Sequence, residues 1–223
     1  KRTSQTQTQS YYTDIIVNAG NALLHIISDL LDLSKIEAGR LELEHVPFDL
    51  DQLFAFEGML FASARQQENP DILFLPYIDP GIPRYLVGDQ ARLQQILSNL
   101  LSNAFKFTEE GTITLQARLL EALPDNTLRL KFSVSDTGIG IEPQHINRLT
   151  ERFYRADKGR SRSVGGTGLG LAIAKHALQR HDGVLKISSV PGQGSTFKCI
   201  FPPERALDNT FNSSSADSIL EDD

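Results

Sequence analysis

Two stretches in the middle of the chain alternate apolar and polar residues with the period of a half-buried strand: Ile113, Leu115, Ala117 and Leu119, then Leu128, Leu130, Phe132 and Val134. The turn-rich "LPDNT" between them makes the two an antiparallel pair. One face of such a pair has to be covered, and the neighbouring sequence supplies the cover. Asp89 is placed to cap a helix running to about Phe107, in which Leu93, Leu97, Leu100 and Ala104 share one face. A further helix is expected from about Leu169 to Arg180, followed by a hairpin with the arms "VLKISS" and "STFKCIF". Upstream, "RLELEHVPFDL" alternates like a strand, a helix is expected from about Asp51 to Gln67, and a short strand around Ile72 to Leu75. Helices and mostly antiparallel strands in one block predict an α+β fold, a two-layer α/β sandwich.

The start of the chain has another pattern. One long helix is expected from Tyr11 to about Ala38, with Ile15, Ile16, Ala19, Leu23, Ile26, Ile27, Leu30, Leu31 and Leu33 forming a stripe wider than a single core-facing surface needs. Such a helix wants partners on two sides, as in a bundle or a dimer. The expected organisation is a polar tail over 1–10, a helical segment over 11–45, a globular domain over 46–204, and a serine-rich acidic tail or linker over 205–223.

A net charge of -6 argues against a general nucleic-acid binder, because such proteins carry a basic face to neutralise phosphates. The single cysteine, Cys199, rules out an internal disulfide and a cysteine-based zinc site, which fits folding in the cytosol. No apolar run is long enough to span a bilayer, and the opening "KRTSQTQTQS" is not a signal peptide.

Three features carry chemistry. Gln95, Asn99, Asn103 and Lys106 recur at spacings of four, four and three, so they form one polar stripe on the helix after Asp89. The stripe suits a solvated face, and it equally suits a magnesium-bound polyphosphate, with a hard oxygen for the metal and a cation for the phosphate. Asp136 continues the inward parity of Leu128 to Val134, and a buried carboxylate is expensive unless something hydrogen-bonds to it. It is either a turn aspartate of "DTGIG" or an acceptor for an exocyclic amine such as that of adenine, with Gly138 and Gly140 admitting a flat ring. "GGTGLGL" then places four glycines, Gly165, Gly166, Gly168 and Gly170, at the start of a helix, whose free N–H groups and positive dipole end favour an anion. It is neither a P-loop nor a dinucleotide fingerprint. Just upstream, "ERFYRADKGRSRS" carries Arg152, Arg155, Lys158, Arg160 and Arg162, a basic segment that is either solvated or a lid over phosphates.

The order "NLLSNAFKFT", "DTGIGI", "ERFYR", "GGTGLGL", "GQGSTF" resembles the catalytic ATP-binding domain of bacterial sensor histidine kinases, over roughly Pro47 to Pro203. That domain lies within the superfamily of gyrase, the heat-shock chaperone ATPases and the MutL repair proteins. The resemblance implies a Bergerat-type sandwich binding ATP and Mg2+. It makes Asn103 the magnesium ligand and Asn99 its companion near the phosphates, gives Lys106 a phosphate contact, and has Asp136 bind the adenine amine. Gly138 and Gly140 would shape the base pocket, Phe153 would anchor the lid and Arg160 would sit in it. Gly166, Thr167, Gly168, Leu169 and Gly170 would bound the phosphate end, and Thr196 would close the pocket floor.

The first helix, ending in "LLDLSKIEAGRLELE", looks like the second helix of a dimerisation and phosphotransfer hairpin of hybrid sensor kinases, whereas "LTERFYRADKGRSR" looks more like the lid of simple phosphate-sensing kinases. The family's acceptor box, a histidine followed by an acidic residue and then Arg-Thr-Pro, is not present in the chain. His25 lies in "NALLHIISDLL", His45 precedes the domain, and His145, His176 and His181 lie within it. The resemblance therefore implies a domain that binds nucleotide without phosphorylating itself, and a parent that dimerises through the hairpin, relays phosphate to a response regulator or receiver domain, and meets the inner membrane only through other segments. Two alternatives stand beside it. One is an ATP hydrolase of the gyrase or chaperone kind, whose general-base glutamate position is Asn99 here, so hydrolysis should be slow. The other is a kinase-like regulatory module acting by protein-protein interaction.

Overall fold

The computed structural model describes residues 43–65, 71–124, 127–156 and 167–205, together with scattered positions between 9 and 34. The chain divides into two compact units, Lys1–Leu41 and Glu42–Asp223.

In the first unit the described positions are helical. Thr13 Oγ1 donates to the Gln9 carbonyl at 2.8 Å and Ser34 Oγ to the Leu30 carbonyl at 2.9 Å, each four residues back, as helical spacing requires. The apolar residues described here lie open to solvent, among them Ile16, Leu24 and Leu31.

The second unit runs β1 (Val46–Asp49), α1 (Leu50–Arg65), β2 (Ile72–Ile78), β3 (Tyr85–Gly88), α2 (Gln90–Phe107), β4 (Gly111–Ala122), β5 (Thr127–Asp136), the single turn α3 (Pro143–Ile146), α4 (Gly170–Arg180), β6 (Val184–Val190) and β7 (Gly194–Arg205). Five strands form one sheet in the order β2-β4-β5-β7-β6, while β1 and β3 pair separately. Only β2 and β4 run parallel; the other neighbours are antiparallel. The helices supply the second layer. Leu97, Leu100 and Leu101 of α2 are fully buried with Ile113 and Leu115 of β4 and Val134 of β5, so the amphipathic helix covers the apolar face of the strand pair. Cys199 fills the same core with no exposed surface, and burial pushes its thiol up to about 12, which makes it an inert apolar residue. This is the two-layer α/β sandwich that the alternating pattern implied.

Local chemistry sets the element ends. Asp89 caps α2 by accepting from the Arg92 amide at 2.9 Å, and its second oxygen takes the Glu44 amide at 3.2 Å. Asp49 does the same for α1 through the Gln52 amide at 3.1 Å, so the strand ends at Asp49 and the helix starts at Leu50. Among the described residues, the strand expected in "RLELEHVPFDL" covers Val46–Asp49, without regular structure over 43–45. Strand β2 extends three residues beyond the expected Leu75, through Pro76, because it is an edge strand on which a missing N–H leaves no ladder bond unmade. Pro203 faces Arg129 where the β5–β7 register shifts. Among the described residues, no helix is long and apolar enough to cross a membrane.

Candidate nucleotide-binding site

Helix α2 presents its amides at one end of the sandwich. The Asn103 side chain donates from Nδ2 to the Asn99 carbonyl at 2.9 Å, a bond back to the preceding turn. That bond fixes the amide's rotation and leaves Oδ1, a neutral hard oxygen, without a partner among the described residues. Asn99 lies one turn earlier, against the start of α4: a Cβ added at Gly170 would stand 2.7 Å from Asn99 Oδ1. Gly170 is therefore bare because the amide stripe of α2 comes up against it. Lys106, one turn further along, is half-buried with its Nζ 5.3 Å over the Phe107 ring.

The N-cap residue of α4, Leu169, is buried and makes no side-chain cap bond, and Thr167 Oγ1 accepts from the Leu169 amide at 3.2 Å. The first turn of a helix carries N–H groups without intrahelical partners and the positive end of its dipole.

Asp136 ends β5 with its side chain on the core-facing side, partnered across the sheet by Ser195. Its Oδ1 accepts from the Gly138 amide at 3.0 Å and from the Ser195 amide at 3.2 Å. Oδ2 has no hydrogen-bond partner among the described residues. Burial pushes the carboxyl above the usual carboxylate range, and the two amides pull it back part of the way. One oxygen is thus held by backbone and the other is left to accept.

The loop after Asp136 corrects one expectation. Gly138 and Gly140 were expected to open the backbone to a flat ring, but the space a Cβ would fill is taken by the protein itself. A Cβ at Gly138 would collide with the Phe107 carbonyl at the end of α2, and one at Gly140, whose φ is +67°, would collide with the Val190 carbonyl of β6. The Ile139 amide reaches Phe107 O at 3.2 Å, and Gly192 donates to Ile139 O at 2.8 Å. These glycines pin the loop between helix and hairpin.

Phe153 is 62% exposed and sits at φ +60°, and its ring makes no aromatic contact among the described residues. The anchoring is done by its backbone, whose amide bonds the Gly168 carbonyl at 3.0 Å, and by the next residue. Tyr154 places its hydroxyl 2.6 Å from His145 Nδ1 and lies beneath the Arg148 guanidinium, which pairs with Glu151 at 3.1 Å. Sequence reasoning named the phenylalanine and passed over the tyrosine; the polar tip that gives Tyr154 its partner is the signal that could have found it.

Thr196 does not reach the pocket floor. Alternation along β7 turns it to the outer face of the sheet, where its hydroxyl donates to Ser135 at 3.0 Å, and gives the place beside Asp136 to Ser195, which is buried. Arg160, Gly165 and Gly166 lie outside the described residues, as do Lys158 and Arg162. Asn99 of α2 meets Gly170 at the start of α4, beside Thr167 and Leu169, while Gly138 and Gly140 after Asp136 pack against Phe107 and Val190.

Comparison with known proteins is consistent along the chain. It is 42% identical over 197 residues to the sensor histidine kinase GacS of Pseudomonas protegens, covering 88% of this chain and 21% of that protein. It is 41% identical over 206 residues to hybrid signal transduction histidine kinase L of Dictyostelium discoideum, covering 92% of this chain and 12% of that one. The chain thus spans about a fifth or less of the curated relatives it matches. Among solved structures, full-length ShkA in complex with AMPPNP superposes with a TM-score of 0.75 at 30% identity, over 93% of this chain and 41% of that one. Residues 88–205, more than half of the chain and containing every site residue described above, match the histidine kinase-, DNA gyrase B- and HSP90-like ATPase family; the chain belongs to that family and carries the ATP-binding catalytic domain of sensor and hybrid histidine kinases.

Proposed function

We propose that this domain holds ATP with magnesium and positions its γ-phosphoryl group for transfer to a histidine imidazole of a longer kinase, for relay to a response-regulator aspartate. The observation that carries this is the convergence of the α2 amides on the uncapped N-terminus of α4, seen in the 2.7 Å approach that any Cβ at Gly170 would make to Asn99. Phosphates fit that corner, since bare amides and a dipole end meet them there. Asp136 Oδ2 stands on the other wall as acceptor for the adenine amine, and Lys106 offers its charge to phosphate.

Magnesium fits the donor set. It keeps most of its own waters and takes phosphate oxygens, so one neutral protein oxygen suits it, and Asn103 Oδ1 is that oxygen. When bound, the ion neutralises charge on the phosphates. The protein's own residues do the rest by orientation: Asn99 and Asn103 hold the polyphosphate chain along α2, and the α4 amides fix its far end. In transfer the imidazole nitrogen forms its bond to phosphorus, the bond to the β-phosphate bridging oxygen breaks, and ADP leaves, with no covalent help from this domain. The acceptor histidine is assigned to the longer kinase; within this domain His145 is engaged with Tyr154 and His181 packs edge-on against Phe201.

Titration of a non-hydrolysable ATP analogue by calorimetry tests the pocket. Asp136→Asn, which turns an acceptor edge into a donor, weakens binding about tenfold or more with or without magnesium, while Asn103→Ala weakens it only when magnesium is present. Equal binding by both variants and the unmutated chain would refute the assignment.

A further inference from the structure

The row across the sheet at Asp136 contains a hydroxyl pair that the nucleotide assignment does not use. Asp136 on β5 is in register with Ser195 on β7, and Ser195 with Ser189 on β6, so the three side chains lie side by side on the core-facing side of the sheet. Ser189 Oγ lies 2.8 Å from the Gly194 carbonyl, 2.8 Å from the Ile141 amide and 3.0 Å from Ser195 Oγ.

Counting hydrogens settles which way these bonds run. A serine hydroxyl has one hydrogen to donate. The Gly194 carbonyl can only accept, so the hydrogen of Ser189 goes there. The Ile141 amide can only donate, so Ser189 accepts from it. The contact between the two hydroxyls must then be made with the hydrogen of Ser195, which points at Ser189 and away from the pocket. Ser195, itself only 7% exposed, is left with lone pairs alone, directly across the ladder from Asp136, whose carboxylate also only accepts.

We infer that Ser189 is a positioning residue for base selection: by fixing the hydroxyl hydrogen of Ser195, it makes this edge of the pocket acceptor-only, which admits a purine with a 6-amino group and rejects one with a 6-oxo group. An amine brings two hydrogens to such an edge. An oxo group brings lone pairs against lone pairs, and the single N1–H beside it can satisfy at most one of the two acceptors. Ser189 touches no nucleotide; it acts through Ser195. The assignment rests on Asp136 facing the base.

The test compares ATP with inosine triphosphate, which differs from it at the 6-position and N1 of the base, by calorimetry on this chain with magnesium. The unmutated chain prefers ATP by about a hundredfold, and Ser189→Ala lowers that preference about tenfold, because the freed Ser195 hydroxyl can turn and donate to the oxo group. Mere loosening of the fold would weaken both nucleotides alike, since they share ribose and phosphates, and would leave the ratio unmoved. Ser189→Thr, which keeps the hydroxyl, restores the preference. Should Ser189→Ala fail to fold, Ser195→Ala reads the same point with the bonds of Ser189 to Gly194 and Ile141 kept: removing the lone pairs lowers the preference too. An unchanged ratio in the folded variants overturns the role of Ser189 while Asp136 keeps its own. Equal binding of ATP and inosine triphosphate by the unmutated chain would instead overturn the adenine assignment of Asp136.

Discussion

Glu57 carries the least compensated charge among the described residues. Its carboxyl has no exposed surface; Oε1 takes the Ser98 hydroxyl of α2 at 2.7 Å, while Oε2 has no partner. Burial pushes the group from 4.5 up to about 6, against the opposing pull of Ser98. Because the folded value lies above the unfolded one, the stability this group contributes is complete below about 4.5 and is lost as pH rises through about 6. The difference corresponds to about 2 kcal/mol at pH 8. Urea midpoints at pH 5 and 8 should therefore fall with pH in the parent and fall less in Glu57→Gln; Asp136, also raised by burial, leaves a remaining slope of the same sign. At this scale the sequence was informative where parity was regular. Asp136 can be placed inward by parity from Leu128, whereas in β7 the same alternation separates Ser195 from Thr196 only once its register with β5 is known.

Single elements place the site through contacts a few atoms wide. Gly170→Ala would push a methyl against Asn99 Oδ1, the far end of a side chain that can swing, and the alanine gains up to about 1 kcal/mol of helix propensity. We expect little change in melting temperature and a several-fold loss of nucleotide affinity, measured side by side. Gly140→Ala acts in the opposite sense: at φ +67°, facing the Val190 carbonyl, it meets rigid backbone, and the melting temperature should drop by about 5–10 °C. The amphipathic stripe of α2 and the alternation of β4 and β5 were legible because each follows its period over its whole length. The extent of β2 was not, because Pro76 reads as a stop until its edge position is known. Nor was the reason for the glycines, which depends on what packs against them.

On the scale of the whole chain, the N-terminal unit leaves Ile15, Ile16, Val17, Leu23, Leu24, Ile27, Leu30 and Leu31 exposed. A helix so apolar on its open surface should self-associate. Sedimentation over a concentration series should show mass above the monomer, reduced by Leu24→Glu; a clean monomer at high concentration would count against it.

The sequence by itself determined the class of fold and the family, because period-2 and period-3.6 patterns are local properties and five motifs occur in a fixed order. It also determined the residue types proposed for the nucleotide site: carboxamides and a lysine on one helical stripe, an inward aspartate, and bare backbone before a helix. Only the tertiary structure decided which atoms are available. That Asp136 gives Oδ1 to the Ser195 amide, 59 residues away, and that Ser195 meets Ser189, six residues away on the next strand, follow from contacts between strands. Such pairings do not exist until the sheet has set its register.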